Sequence, residues 1–214
     1  GAPIFGGVVE GFGSDEPGTH TVTLNGAAQL RHLVRRIDPL ALPEVAPPPQ
    51  PTGTRSVSLN RPGESVGDFE TVRNLTLNSG VGLVTVPPGI YGHFSVNARS
   101  GLVLGSADAV EPAIYNLQGL SLNGGAHIEI TGPVILLIDG GLSVNSNVTF
   151  SYHAPAWLTL QLASGGLSIN GNVVMPATVL APRGTVVLNG NSKLRGTLSA
   201  DRLIVNGNAA LLSP

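Results

Sequence analysis

The sequence predicts an all-β protein, a single-stranded β-solenoid of about nine coils, read as a right-handed parallel β-helix because coil length varies. Three observations predict it. A four-residue phrase, apolar, Ser or Thr, apolar, Asn, returns nine times along the 214 residues, twice in altered form. From the second phrase onward the spacing is 17 to 26 residues, the length of a coil of two or three short strands. Only 11% of residues are charged, against about a quarter in an ordinary domain. Stacking explains that depletion. Equivalent positions on successive coils lie ~4.8 Å apart, so a repeated Lys or Glu would face its own copy, and like charges directly opposite destabilise. Nine coils at that spacing give a rod on the order of 40 Å long.

The elements follow in order. Residues 1–18 form a Gly-rich arm carrying Ile4, Phe5, Val8 and Val9, and residues 19–214 form the solenoid. The first phrase is Val22 to Asn25. Leu30, Leu33, Val34 and Ile37 then have helical spacing, but residues 25–31 align with 189–195, which favours a strand. A Pro-rich excursion at 38–53 separates the first phrase from the second and reads as extended polyproline chain. The phrases then close at Asn60, Asn78, Asn97, Asn123, Asn145, Asn170, Asn189 and Asn206. Between them, Pro88-Gly89-Ile90-Tyr91 returns loosely as Pro112-Ala113-Ile114-Tyr115. Runs such as Val134–Ile138 and Trp157–Leu162 are rich in strand formers.

Strand alternation puts the first and third residues of each phrase inward and the Ser or Thr outward. Asn closes the strand, usually before Gly, and Asn-Gly accepts the positive φ of a tight corner. In-register coils bring Asn25, Asn60, Asn78, Asn97, Asn123, Asn145, Asn170, Asn189 and Asn206 into one column, amide to amide. Asn-Gly between apolar strands is also a hairpin signal. The rival fold is therefore an antiparallel meander, but hairpin turns have no reason to follow the same phrase each time.

Net charge is −2, so no basic footprint for nucleic acid exists. The chain has no cysteine, which excludes disulfides and thiolate chemistry, and no apolar run approaches the ~20 residues of a membrane-spanning helix. The acids are scattered over different phases of the coil. Asp68 with Glu70 is the best local pair and reads as a solvated edge. His20, His32, His93, His127 and His153 have no metal-ligand spacing. No catalytic residue, cofactor or metal is expected. The outward row Thr23, Ser58, Thr76, Ser95, Ser121, Ser143 and Ser168 is a candidate binding face for ice or a glycan, although ice binders of this kind favour Thr. At Val187 and Ile204 the outward position becomes apolar, so a cover is expected there. No polar cap follows the last phrase. Leu211, Leu212 and the arm are therefore expected to mediate self-association through open ends.

The run from Val179 to Asn191, followed by Leu194-Arg195-Gly196-Thr197-Leu198 and Ala200, resembles the closing coils of a bacterial surface β-helix domain. That domain is found beside type IV pilus assembly proteins and in choice-of-anchor A adhesin-like proteins. Pro87-Pro88-Gly89-Ile90-Tyr91-Gly92 resembles an earlier phrase of such domains, and the likeness spans roughly residues 54 to 212. It implies a non-catalytic structural module, extracellular or on the cell surface. A polysaccharide-active β-helix enzyme is the other alternative, and the missing acidic cluster speaks against it.

Overall fold

A computed structural model describes residues 42, 44–151 and 157–213 in full, and residues 3–4, 23–25, 29–30 and 152 as strand backbone. Three short strands come first: β1 (Pro3–Ile4), β2 (Thr23–Asn25) and β3 (Gln29–Leu30). Past the proline tract come β4 (Arg55–Leu59), β5 (Val72–Leu77), β6 (Gly82–Thr85), β7 (Gly89–Val96), β8 (Ser100–Leu104), β9 (Ala113–Leu122) and β10 (His127–Ile130). The chain continues through β11 (Val134–Ile138), β12 (Leu142–Val144), β13 (Thr149–Tyr152), β14 (Leu158–Leu162), β15 (Leu167–Ile169) and β16 (Val174–Pro176). It ends with β17 (Thr178–Leu188), β18 (Lys193–Arg195), β19 (Leu198–Asn206) and β20 (Ala210–Leu212). Among the described residues helix is limited to a 3-10 turn, Phe69–Thr71, and a single 3-10 residue, Trp157. The protein is all-β.

Every strand pairing among these residues is parallel. No two strands joined by an Asn-Gly turn pair with each other, so the antiparallel meander is not the fold. An eleven-stranded sheet holds the phrases in the order β4, β5, β7, β9, β12, β15, β17, β19, β2, which we term the phrase column. Within that sheet β9, β11, β14, β17 and β19 also pair through their earlier residues, forming a second column. A third column is made of β6, β8, β10 and β13, and then of β16, β18 and β20.

Register follows the phrase. Ser58 pairs with Thr76, Thr76 with Ser95, Ser95 with Ser121, Ser121 with Ser143, Ser143 with Ser168, Ser168 with Val187 and Val187 with Ile204. The sequence spacings are therefore the strand offsets. The physical reason is the two-residue side-chain period: a slip by one would turn each apolar pair out to solvent. Leu75, Leu77, Phe94, Val96, Leu120, Leu122, Leu142, Val144, Leu167, Ile169, Val186, Leu188, Leu203 and Val205 are all buried, in one core that runs the length of the column. Each such side chain contributes on the order of 1.5–3 kcal/mol of burial.

Four sequence expectations are corrected or refined. The first phrase does not begin the stack. Thr23, Leu24 and Asn25 pair with Ile204, Val205 and Asn206, at the far end of the column from β4. The edge of β19 is consequently occupied by the chain's own strand, not left open, because a fixed phrase fits either end of a periodic column. Leu30 lies in a strand, β3, as the alignment favoured; Leu33, Val34 and Ile37 lie outside the described residues. Finally, Tyr91 pairs with Leu117 rather than Tyr115, since Gly89 is opposite Tyr115. The slip of two keeps both tyrosines inward, and the segment 105–112 takes up the difference.

The proline tract explains how the first phrase reaches the far end. Arg183 pairs with Glu44 in an exposed ion pair, and the Gln118 amide donates to Pro49 O at 2.9 Å. Thr54 N then donates to Thr71 O at 3.1 Å. From β17 to β9 is three pairing steps, and from β9 to β4 three more, each step ~4.8 Å and each set ~14 Å. Five extended residues cover ~15 Å at the polyproline rise. Residues 44–54 thus run back along the outside of the stack as a strap, nearly at full extension, with Val45, Pro48, Pro51 and Gly53 buried against it.

Candidate functional site

The outward side of the phrase column is the candidate binding face. Ser58, Ser121 and Ser143 are exposed, and Thr76, Ser95 and Ser168 half-buried; of the Thr23 side chain nothing is described. Beside the row runs a line of glycines. A Cβ on Gly166 would sit 2.1 Å from Thr185 O, and one on Gly184 would sit 2.1 Å from Gly165 O, so backbone packs directly on backbone there. The missing side chains leave a shallow groove of about 390 Å³, lined among others by Ser121, Ser143, Ser168, Gly141, Gly166 and Val187. The hydroxyls of Ser121, Ser143, Ser168 and Thr185 share it with the aliphatic Leu120, Leu142, Leu167 and Val187, and its lining includes no aromatic ring and no carboxylate. It offers hydrogen bonds to a flat partner but no group for acid–base chemistry.

Asparagines flank the face. Asn78 Nδ2 donates to Asn60 Oδ1 at 2.8 Å, Asn123 to Asn97 at 2.8 Å, Asn189 to Asn170 at 2.8 Å and Asn206 to Asn189 at 2.7 Å. Asn97 and Asn145 donate instead to the backbone, to Leu77 O at 3.0 Å and Leu122 O at 3.3 Å. Asn25 stands in register beyond Asn206. A second ladder escaped the sequence reading: Asn191 donates to Asn172 at 2.9 Å and Asn208 to Asn191 at 3.3 Å. Its signal was the triplet Asn-Gly-Asn, present at 170–172, 189–191 and 206–208.

Val187 and Ile204 are half-buried, in register with each other, and Ile204 stands opposite Thr23 of β2. The chain's own first phrase thus abuts the expected apolar step. Leu211 is buried in the core, which removes it from any assembly surface, and Leu212 is half-buried. Ile4 lies in β1, beside β20; Phe5, Val8 and Val9 lie outside the described residues.

Other polar groups have structural partners. Asp68 accepts from Glu70 N at 2.9 Å and caps the 3-10 turn. Glu64 Oε2 accepts from the backbone N–H of Asn60 and Arg61. His127 spans two hydroxyls of the next strand, with Nδ1 2.6 Å from Thr149 Oγ1 and Nε2 2.9 Å from Ser151 Oγ. Among the described residues no three His, Cys, Asp or Glu side chains gather as metal ligands, and no helix is long and apolar enough to cross a membrane. Tyr91 and Tyr115 are buried. Tyr91 Oη donates to Pro87 O at 2.8 Å, and Tyr115 Oη donates to Val86 O at 3.0 Å. Burial, with a smaller contribution from Tyr115, pushes the Tyr91 phenol up to about 12. Burial also raises Tyr115, against the N–H of Gly105.

The second column carries an apolar stripe that the phrase analysis did not single out. Ile90 and Ile114 are exposed, and Ile135 and Leu137 half-buried beside them. Farther along the same rows stand Thr159, Thr178 and Gln161. No family model, no curated protein and no solved structure matches this chain.

Proposed function

We propose that the chain winds as a right-handed parallel β-helix of about nine coils and serves as a non-catalytic structural module of the bacterial cell surface or extracellular space. In this reading it self-assembles through its ends into a fibre or pilus-associated array. The right hand follows from the strong preference of parallel crossovers. One observation carries the functional reading: the phrase column runs unbroken from β4 to β2, and among the described residues each of these end strands is paired on one side only. A parallel stack whose end strands each lack a partner strand on one side is a template for addition of further strands. The resemblance to surface β-helix domains supports the location, and the scattered carboxylates support a role without catalysis.

The alternative is an ice- or glycan-binding module using the Ser row and its groove. The groove supports this reading, and the scarcity of methyl-bearing Thr in the row argues against ice. Electron microscopy of the concentrated protein tests assembly, which predicts thin unbranched fibres. A field of monodisperse rods on the order of 40 Å long at every concentration would refute it.

A further inference from the structure

The two ends of the stack are stepped, and the steps fit. At one end β4 stands a level beyond the third column, whose first strand, β6, follows β5 in the chain. At the other end the phrase column extends one level past β19, to β2. There β1 lies beside β20, without a ladder to it, and pairs in parallel with β3 as a separate two-stranded sheet. Counting β1 and β3 as the next two levels of the third column, that column is recessed by one level at the β4 end and advanced by one at the β2 end. If the β2 edge of one copy meets the β4 edge of the next, β3 falls opposite β6. All strands run parallel, so polarity is preserved across such a joint.

The chemistry of the β4 edge agrees. Leu59 O accepts from Asn78 N at 3.0 Å, so the peptide groups of Leu59 turn toward β5 and those of Ser58 turn away, to the unpaired side. In the ladder each paired Asn donates to the preceding one. Asn60 accepts from Asn78, but its own Nδ2 reaches only Ser58 O of its own strand, at 3.4 Å. Asn60 is a rung without its predecessor.

We propose that copies of this chain stack head to tail, β2 of one on β4 of the next, with Thr23 opposite Ser58, Leu24 opposite Leu59 and Asn25 opposite Asn60. The proposal rests on the self-assembly reading and names its partner and register. The strap places the mating phrase: by carrying β2 and β3 to the far end, it makes these strands, rather than β19 and β20, the surface that meets the neighbour. A heterologous joint of this kind does not close and gives an open filament. Nine phrase strands per copy set an axial repeat of about 43 Å at ~4.8 Å per level.

The absence of native cysteine allows a direct test. Thr23→Cys and Ser58→Cys proteins are mixed under oxidising conditions; neighbouring parallel strands lie within the ~4.4–6.8 Å Cα range of a disulfide. A covalent dimer is expected in the mixture and not from either protein alone, and a ladder of oligomers is expected from the double variant. Ser58→Pro removes the outward N–H of the β4 edge and also the hydrogen bond that Asn78 Nδ2 donates to Ser58 Oγ at 3.1 Å, and is expected to abolish every species heavier than monomer. Ser58→Ala, which loses the same side-chain bond but keeps the N–H, is expected to share the shift in thermal midpoint and still assemble. Fibres that form without the 23–58 cross-link, or that persist in Ser58→Pro, overturn this register and leave assembly standing. Unmodified protein that stays monomeric at every concentration overturns the assembly reading itself.

Discussion

The stretch from β5 to β13 and the stretch from β14 to β20 are built from the same phrase, yet they are held differently. In the first, the phrase spacings run from 18 to 26 residues, and Tyr91, Phe94 and Tyr115 are buried in the core with Phe150 packed against it. Tyr91 packs on Phe94 and meets Phe69 edge-on. Corner turns put the positive φ on the third residue, at Gly80, Arg99, Gly125 and Asn147. In the second stretch the spacings shorten to 19 and 17. After Trp157 the sequence has no aromatic residue, and Ala177, Ala181, Ala200 and Ala209 are buried in the core. Here the positive φ moves to the second residue, at Gly171, Gly190 and Gly207, and both Asn ladders run through consecutive levels. The lesson is that one outward phrase tolerates two solutions inside. In the first stretch aromatic rings fill the inside, and in the second small alanines do so beside two consecutive amide ladders.

The largest test of this contrast is alkaline pH. Tyr91 and Tyr115 hold their protons more tightly folded than unfolded. Their contribution is complete below the unfolded value of about 10 and is lost as pH rises through about 12 for Tyr91. For Tyr91 the loss is on the order of 2–3 kcal/mol. Denaturant midpoints should fall between pH 9 and 12, and Tyr91→Phe should flatten that fall. An unchanged slope in Tyr91→Phe would show that alkali attacks elsewhere.

A smaller effect is expected at the corner of the second stretch. Asn189 donates to Asn170 and accepts from Asn206, so Asn189→Ala should cost about 2 kcal/mol in urea unfolding. Asn145 makes one long bond to Leu122 O, and Asn145→Ala should cost about half as much. Equal shifts would mean that the ladder adds nothing to the second stretch.

The smallest contrast is between two serines at the same position of the turn. Ser100 Oγ donates to Asn78 O at 2.6 Å and accepts from Val81 N at 2.9 Å. Ser192 Oγ is buried with no partner among the described residues. Ser192→Ala should raise the thermal midpoint by an amount worth about 1 kcal/mol, whereas Ser100→Ala should lower it by about as much. A loss at both positions would indicate a hydrogen bond to Ser192 that the packing does not reveal.

Much of this was legible in the sequence because a repeated phrase carries its own register. Once Leu75, Phe94 and Leu120 must all point inward on parallel strands, their offsets are set by counting residues. The inward and outward sides, and the column of Asn60 through Asn206, follow from the two-residue period. The register of the two tyrosine segments was not legible in their loose likeness, since a slip of two keeps both rings inside and only the length of segment 105–112 distinguishes the options. The apolar stripe at Ile90, Ile114, Ile135 and Leu137 was not singled out because it lies outside the phrase.

By itself, then, the sequence determined the β class, the parallel repeat, the faces and the candidate Ser row, all of which are local consequences of side-chain alternation and spacing. Only the tertiary structure decided where the first phrase sits. A strand reading Thr-Leu-Asn fits either end of a column made of its own kind, so local chemistry is degenerate there. Distant contacts accompany that placement: Glu44 with Arg183 and Pro49 with Gln118 hold the proline strap along the column from β17 towards β4, while Thr23–Asn25 pairs beyond β19.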